Sequence, residues 1–135
     1  MYRSETHIRV RYGETDQMRY VYYGNYAMYY EVARVESLRQ LGLTYKELEA
    51  MGVIMPVLEN HSEFISPALY DELLTIVVTI LEKPTVRIRF HYEIFNEQQK
   101  LIHKGVTLLA FVNQSTGRPC RPPEAFQKVL TPYFP

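Results

Sequence analysis

The chain has 135 residues, and its 15 Lys+Arg balance 15 Asp+Glu to leave no formal net charge. That balance excludes a nucleic-acid protein held by bulk positive charge, and the single cysteine, Cys120, excludes an internal disulfide and fits a reducing compartment. The length predicts one domain over residues 1–135, with a core small enough to gain from a partner subunit.

No apolar run reaches the length of a signal peptide or a membrane span, which predicts a soluble cytoplasmic protein. In chain order, residues 7–12 alternate, with Ile8, Val10 and Tyr12 opposite His7, Arg9 and Arg11, as a strand with one wet face does. A helix is predicted over residues 25–41, with Asn25 as its N-cap and Gly42 just beyond its end. Its apolar residues spread almost around the wheel, the mark of a buried helix. Residues 44–51 read as a second, short helix, with Thr44 as cap and Glu47 three residues on.

Extended segments follow over 53–65, 72–82, 86–95 and 101–113, with Pro56 demoting the first part of the first one to an edge. Residues 96–100 make a hairpin connection, 115–119 a turn, and 122–130 a short helix with Pro at its start. Four long strands joined by tight turns, sharing one apolar face, need a cover, and the long helix is the element suited to it. The expected class is α+β, an antiparallel sheet wrapped around a long central helix.

Twelve residues are tyrosine, and six of them lie between Tyr20 and Tyr30. They follow a single carboxylate in RYGETDQMRYVYYGNY. Taken alone, Asp16 reads as a turn residue that bonds its own backbone ahead of a helix. The chemical alternative is a carboxylate able to attack a carbonyl or deprotonate a water beside the donor groups of a helix N-terminus. His7, His61, His91 and His103 are scattered without metal-ligand spacing.

Together, the motif and the element order resemble the hotdog-fold thioesterases, in particular the 4-hydroxybenzoyl-CoA thioesterase-like acyl-CoA hydrolases. The matching residues are Tyr12, Thr15-Asp16, Val21 to Tyr26, Tyr30-Glu31, Ala33-Arg34 with Glu36, and the FVN-x-x-TGRP-x-R-P segment at residues 111–122. The resemblance implies an acyl-CoA thioesterase that needs no metal or cofactor, coenzyme A being part of the substrate, and that works as a homodimer or homotetramer with a site between subunits. It carries over Asp16 as nucleophile or general base, and Tyr23 as the position whose backbone N–H polarises the thioester carbonyl.

Tyr26 is expected near the substrate, with the other tyrosines mostly structural. Glu31 either orients the site or pairs with Arg34 at i, i+3. Arg87, Arg89, Lys104, Arg118 and Arg121 are candidates for the phosphates of CoA, with Arg118 and Arg121 foremost and the wet face of a sheet as the plain alternative. One position departs from the pattern: Arg19 stands where the family carries glycine, so a positive φ there would be strained, or Arg19 adds a cation near the CoA phosphates. The alternatives to an acyl-CoA hydrolase are a non-catalytic hotdog module that binds thioesters or scaffolds, and a thioesterase acting on acyl carrier protein.

Overall fold

The computed structural model describes residues 1–135. Five strands, β1 (Tyr2–Arg9), β3 (Val57–Phe64), β4 (Leu73–Ile80), β5 (Arg87–Phe95) and β6 (Leu101–Ala110), form one antiparallel sheet in the order β1-β4-β5-β6-β3. A two-residue pair, β2 (Val53–Ile54) with β7 (Val112–Asn113), lies at one end. The long helix α1 (Tyr26–Gln40) packs on the inner face of the sheet, mainly against β1 and β4, followed by α2 (Tyr45–Ala50) and, near the C-terminus, α3 (Glu124–Leu130). This is the hotdog arrangement the sequence resemblance implies.

Local signals explain most of the boundaries. Gly42, at φ 92°, takes the left-handed position after α1, and the N–H groups of Gly42 and Leu43 return to the carbonyls of Arg39 and Leu38. That Schellman cap satisfies carbonyls the helix end would leave open. Thr44 caps α2 by accepting from the N–H of Glu47 at 3.1 Å. Asn96 closes the β5–β6 hairpin by accepting from the N–H groups of Gln98 and Lys100, both at 3.0 Å.

Four expectations change. The first strand runs from Tyr2 to Arg9 rather than 7–12, although the alternation is kept: Tyr2 and Ser4 are buried and Arg3 and Glu5 exposed. Asn25 does not cap α1; it already has helical dihedrals and its side-chain amide donates to the carbonyl of Glu14 at 2.8 Å. The strands over 53–65 and 101–113 each break, at Pro56 and Phe111, because their ends leave the main sheet to pair as β2 and β7.

The four long strands are not a simple meander either. β3 pairs with β6 and β4 with β1, so residues 65–72 cross from the β3 edge past β6 and β5 to reach β4. This crossing holds the loop that precedes α1. Val21 donates to Ala68 at 2.9 Å, Val10 to Glu72 at 2.9 Å, and Asp71 back to Val10 at 3.0 Å.

Tyr26, Tyr29, Tyr30, Ala33, Ser37 and Leu38 give α1 its buried stripe, and the rings of Phe90 and Tyr92 stand below it on β5. Each such ring removed from water contributes about 2–3 kcal/mol. The opposite face is open, with Met28 38% and Val32 41% exposed. One five-stranded sheet covers a single side of a helix, so the apolar pattern that runs round α1 exceeds what this chain can cover.

Candidate active site

The loop between β1 and α1 is organised by a residue the sequence reading passed over. Glu14 is 6% exposed. Its carboxylate accepts from the Arg11 N–H at 2.9 Å, from Arg11 Nε at 2.9 Å and from the Tyr29 hydroxyl at 2.8 Å, while its carbonyl accepts from Tyr22 and Asn25. Burial opposes its ionisation, but the donations from the Arg11 backbone, Tyr29 and the Arg11 side chain outweigh it and hold the carboxyl below the usual range. The same arrangement raises the pKa of Tyr29, through burial first, then its hydrogen bond to Glu14 and the Glu14 charge. Arg11 and Glu14 at i, i+3 were the one sequence signal for it.

Glu14 thereby fixes the turn that carries Asp16. Asp16 Oδ1 accepts from the Met18 N–H at 2.8 Å, the Arg19 N–H donates to the Asp16 carbonyl at 3.0 Å, and the Asp16 N–H donates to Tyr20 at 2.8 Å. Asp16 is therefore a turn residue, as its type alone suggests. Its Oδ2 accepts no hydrogen bond from the chain. Arg19 closes the same turn at φ 68°, the left-handed region a glycine would occupy at no cost. For arginine that conformation costs on the order of 1 kcal/mol. The Arg19 side chain is exposed and makes no ion pair.

Tyr22 leads, with extended dihedrals, into a 3-10 turn at Tyr23–Asn25 that runs straight into α1. No acceptor within the chain takes the backbone N–H groups of Tyr23 and Gly24, so the positive end of the helix is open there. Asp16 and Tyr23 share the wall of one cavity of about 290 Å³, completed by Tyr26, Phe64, Ile65 and Pro67 among others. On its other side Asp16 borders a wider cavity of about 770 Å³ with Arg19, Gln17, Tyr12 and Tyr70. The structure thus brings Asp16, Tyr23 and Tyr26 together, and Arg19 to the far side of Asp16.

Behind Tyr26 lies a second arrangement the sequence did not reveal. The Tyr26 ring stacks on His103 at 4.0 Å between centroids and 8° between planes, and Phe64 meets both rings edge-on. His103 Nε2 shares a hydrogen bond with the Tyr30 hydroxyl, which also bonds Ser62 Oγ at 2.6 Å. Burial alone pulls the His103 pKa down to about 4, so the ring is neutral at ordinary pH.

The remaining candidates lie elsewhere. Glu31 is exposed on the open face of α1 and does not pair with Arg34. Arg34 is buried and donates instead to the hydroxyls of Tyr45 at 2.8 Å and Tyr92 at 3.0 Å, tying α1 to α2 and β5. Arg87, Arg89 and Lys104 are exposed on β5 and β6, and Arg118 and Arg121 are exposed beyond β7. Arg87 is seven residues along β5 from Ile94, the pairing partner of His103, which puts it roughly 23 Å from the cavity. Arg118 pairs with Asn113 at that same distant end.

The thioesterase-like superfamily matches residues 10–130. The chain belongs to this superfamily. Among its relatives, YneP of Bacillus subtilis is 31% identical over 133 residues, covering 98% of this chain and 96% of YneP. The acyl-CoA thioester hydrolase YbgC of Escherichia coli O157:H7 is 30% identical over 112 residues, covering 83% and 84%. Among solved structures, the DHNA-CoA thioesterase of Staphylococcus aureus superposes with a TM-score of 0.86 at 35% identity, over 100% of this chain and 85% of that one. In this superfamily member, the match begins at Val10 and so takes in the Asp16 turn, the start of α1 and the whole crossing segment.

Proposed function

We propose that this chain is a cytoplasmic acyl-CoA thioesterase that hydrolyses the thioester of a small or medium acyl or aroyl group to the free acid and CoA. One observation supports the reading: Asp16, whose Oδ2 accepts no hydrogen bond from the chain, and Tyr23, at the open start of the helix, line the same largely apolar cavity. A thioester carbonyl between them is polarised by the Tyr23 N–H and the helix dipole, and its oxyanion is stabilised there as it forms. Asp16 then acts in one of two ways. As nucleophile, Oδ2 bonds to the carbonyl carbon, the C–S bond breaks, CoA leaves as thiolate, and water hydrolyses the resulting anhydride. As general base, it takes a proton from water, and that water attacks the carbon directly. Neither route needs a metal or a further cofactor.

A homodimer or homotetramer is part of the proposal. β3 is an edge strand with all eight residues exposed, and its free side carries no partner. Two copies pairing antiparallel through β3 would set the partner's Val57 end beside this chain's Phe64. That brings the partner's Arg87, Arg118 and Arg121 towards the cavity beside Asp16, in place to meet CoA phosphates. The exposed Met28 and Val32 on α1 give further apolar surface for assembly.

The test is turnover of a panel of acyl-CoA and matched acyl-carrier-protein thioesters, read by free thiol release, followed by Asp16→Asn on the best substrate. Hydrolysis that depends on Asp16 is the expected result. Binding without thiol release would mark a non-catalytic module, and a preference for carrier-protein substrates would change the donor rather than the chemistry.

A further inference from the structure

We propose that His103 is a positioning residue that decides which acyl groups fit: its buried ring backs Tyr26 and so fixes the depth of the cavity beside Asp16. The identity of the ligand here rests on the thioesterase reading. Tyr26 lines the 290 Å³ cavity, and one face of its ring lies parallel to His103 with 4.0 Å between centroids. Phe64, another wall residue, touches both rings edge-on, at 5.4 Å from Tyr26 and 4.8 Å from His103. The three rings form one rigid back wall.

His103 is an expensive choice for that place. It is 0% exposed, and its Nδ1 has no hydrogen-bond partner. Leaving a buried polar atom unpaired costs about 1–3 kcal/mol. Satisfying Tyr30 does not explain the cost, because that hydroxyl already bonds Ser62. Core packing alone would favour leucine or phenylalanine. What histidine adds is a flat ring whose plane is pinned by the bond from Nε2 to Tyr30. Tyr30 in turn reaches this point only because residue 105 is glycine: a Cβ there would lie 2.3 Å from Tyr30 Cζ. The chain Gly105, Tyr30, His103, Tyr26 thus ends at the cavity, and a leucine would leave Tyr26 without a parallel support.

Removing the ring lets Tyr26 move back and deepens the cavity. In His103→Ala, kcat/KM for an acyl chain one or two methylenes beyond the wild-type optimum should rise relative to the optimum by about tenfold, the scale of a methylene's fit in an apolar pocket. The gain should appear in KM for the longer substrates. His103→Phe keeps a flat ring but loses the bond that pins its plane, so it should recover part of the wild-type preference. If His103→Ala fails to fold, His103→Leu tests the same loss of a flat support and should shift in the same direction. A folded His103→Ala or His103→Leu with the wild-type preference overturns the proposal, and so does a His103→Phe variant shifted as far as His103→Ala.

Affinities of non-hydrolysable S-alkyl-CoA thioethers of rising length give a readout independent of turnover. Absence of turnover in the wild type would defeat the hydrolase reading alone, and a shifted thioether preference would still support the role of His103. Unshifted thioether affinities, or no thioether binding by the wild type, would overturn it.

Discussion

Tyr29, on α1, donates its hydroxyl to Glu14, in the preceding loop, at 2.8 Å, and this bond fastens the Asp16 turn to the helix it faces. Glu14→Gln keeps the shape but weakens charge-assisted donations from Arg11 and Tyr29, each worth about 1.5–3 kcal/mol. Denaturant unfolding should show a loss of about 2 kcal/mol. Turnover should fall with it, because the turn and the helix start are then less firmly held. The folded pKa of Glu14 is depressed, so its contribution is present above the unfolded carboxylate pKa and fades as pH falls through the folded value. The acid limb of the stability profile should therefore flatten in Glu14→Gln.

Asp16→Asn separates the two roles of that residue. The amide oxygen can still accept from the Met18 N–H, so the turn survives and the unfolding midpoint should change by no more than about 0.5 kcal/mol equivalent. The anionic Oδ2 is lost. Loss of a positioned base or nucleophile should lower kcat by about 10²–10⁴-fold with little change in KM. Steady-state kinetics on the best thioester checks this, and unaltered turnover would remove Asp16 from the mechanism.

Arg19→Gly should stabilise the protein. Arginine at φ 68° carries the left-handed penalty, partly offset because glycine gives the unfolded chain more freedom. The net gain is on the order of 0.5–1 kcal/mol, visible as a rise in Tm. Arg19→Ala, which keeps a Cβ in the same conformation, should show no such gain. A Tm for Arg19→Gly at or below the wild-type value would mean the turn relaxes in solution.

Several features of the fold are legible in the sequence alone. The cap at Gly42, the hairpin at Asn96 and the long helix all have local causes, since each depends on residues within one turn of the chain. The crossing of residues 65–72 does not, because alternation records which face a residue takes but not which strand it pairs with. β6 shows the harder case. From His103 to Leu108 its inner face carries His103, Gly105 and Thr107, whereas its outer face carries Lys104, Val106 and Leu108; apolar Leu109 takes the inner face only at the far end. Hydropathy therefore gives no clear face over the middle of this strand, and the part of the site behind Tyr26 could not be read from it. Glu14 was hidden for the opposite reason: its partners lie 3 and 15 residues away on two different elements.

His103 makes stability depend on mildly acid pH. Its folded pKa, about 4, lies below the 6.5 of the exposed ring, so the unfolded state binds a proton that the folded state does not. Stability should therefore fall as pH is lowered from about 6.5 towards 4, by up to about 1.4 kcal/mol per unit within that window. His91 shifts in the same direction, from partial burial and then Arg89, but on the outer face of the sheet where solvent weakens the effect. Denaturant midpoints across this range should slope in the wild type and flatten in His103→Phe, leaving the smaller His91 contribution. An unchanged slope would place the titration elsewhere.

Gly105→Ala tests the packing on which the His103 position depends. The added Cβ would stand 2.3 Å from both Tyr30 Cζ and its hydroxyl oxygen. A flexible surface ring could swing away, but Tyr30 is 0% exposed, stacks on Tyr92 at 4.4 Å and bonds both Ser62 and His103. Relief must come from the backbone of β6 or from breaking those bonds. Overpacking of this kind costs about 1–3 kcal/mol, and the loss of the Tyr30 bond adds about 1 kcal/mol. Thermal unfolding should register a drop of several degrees. The selectivity of the enzyme should move in the direction of His103→Ala, since a displaced Tyr30 releases His103. A Gly105→Ala protein with wild-type Tm would show that Tyr30 has room the static packing does not reveal.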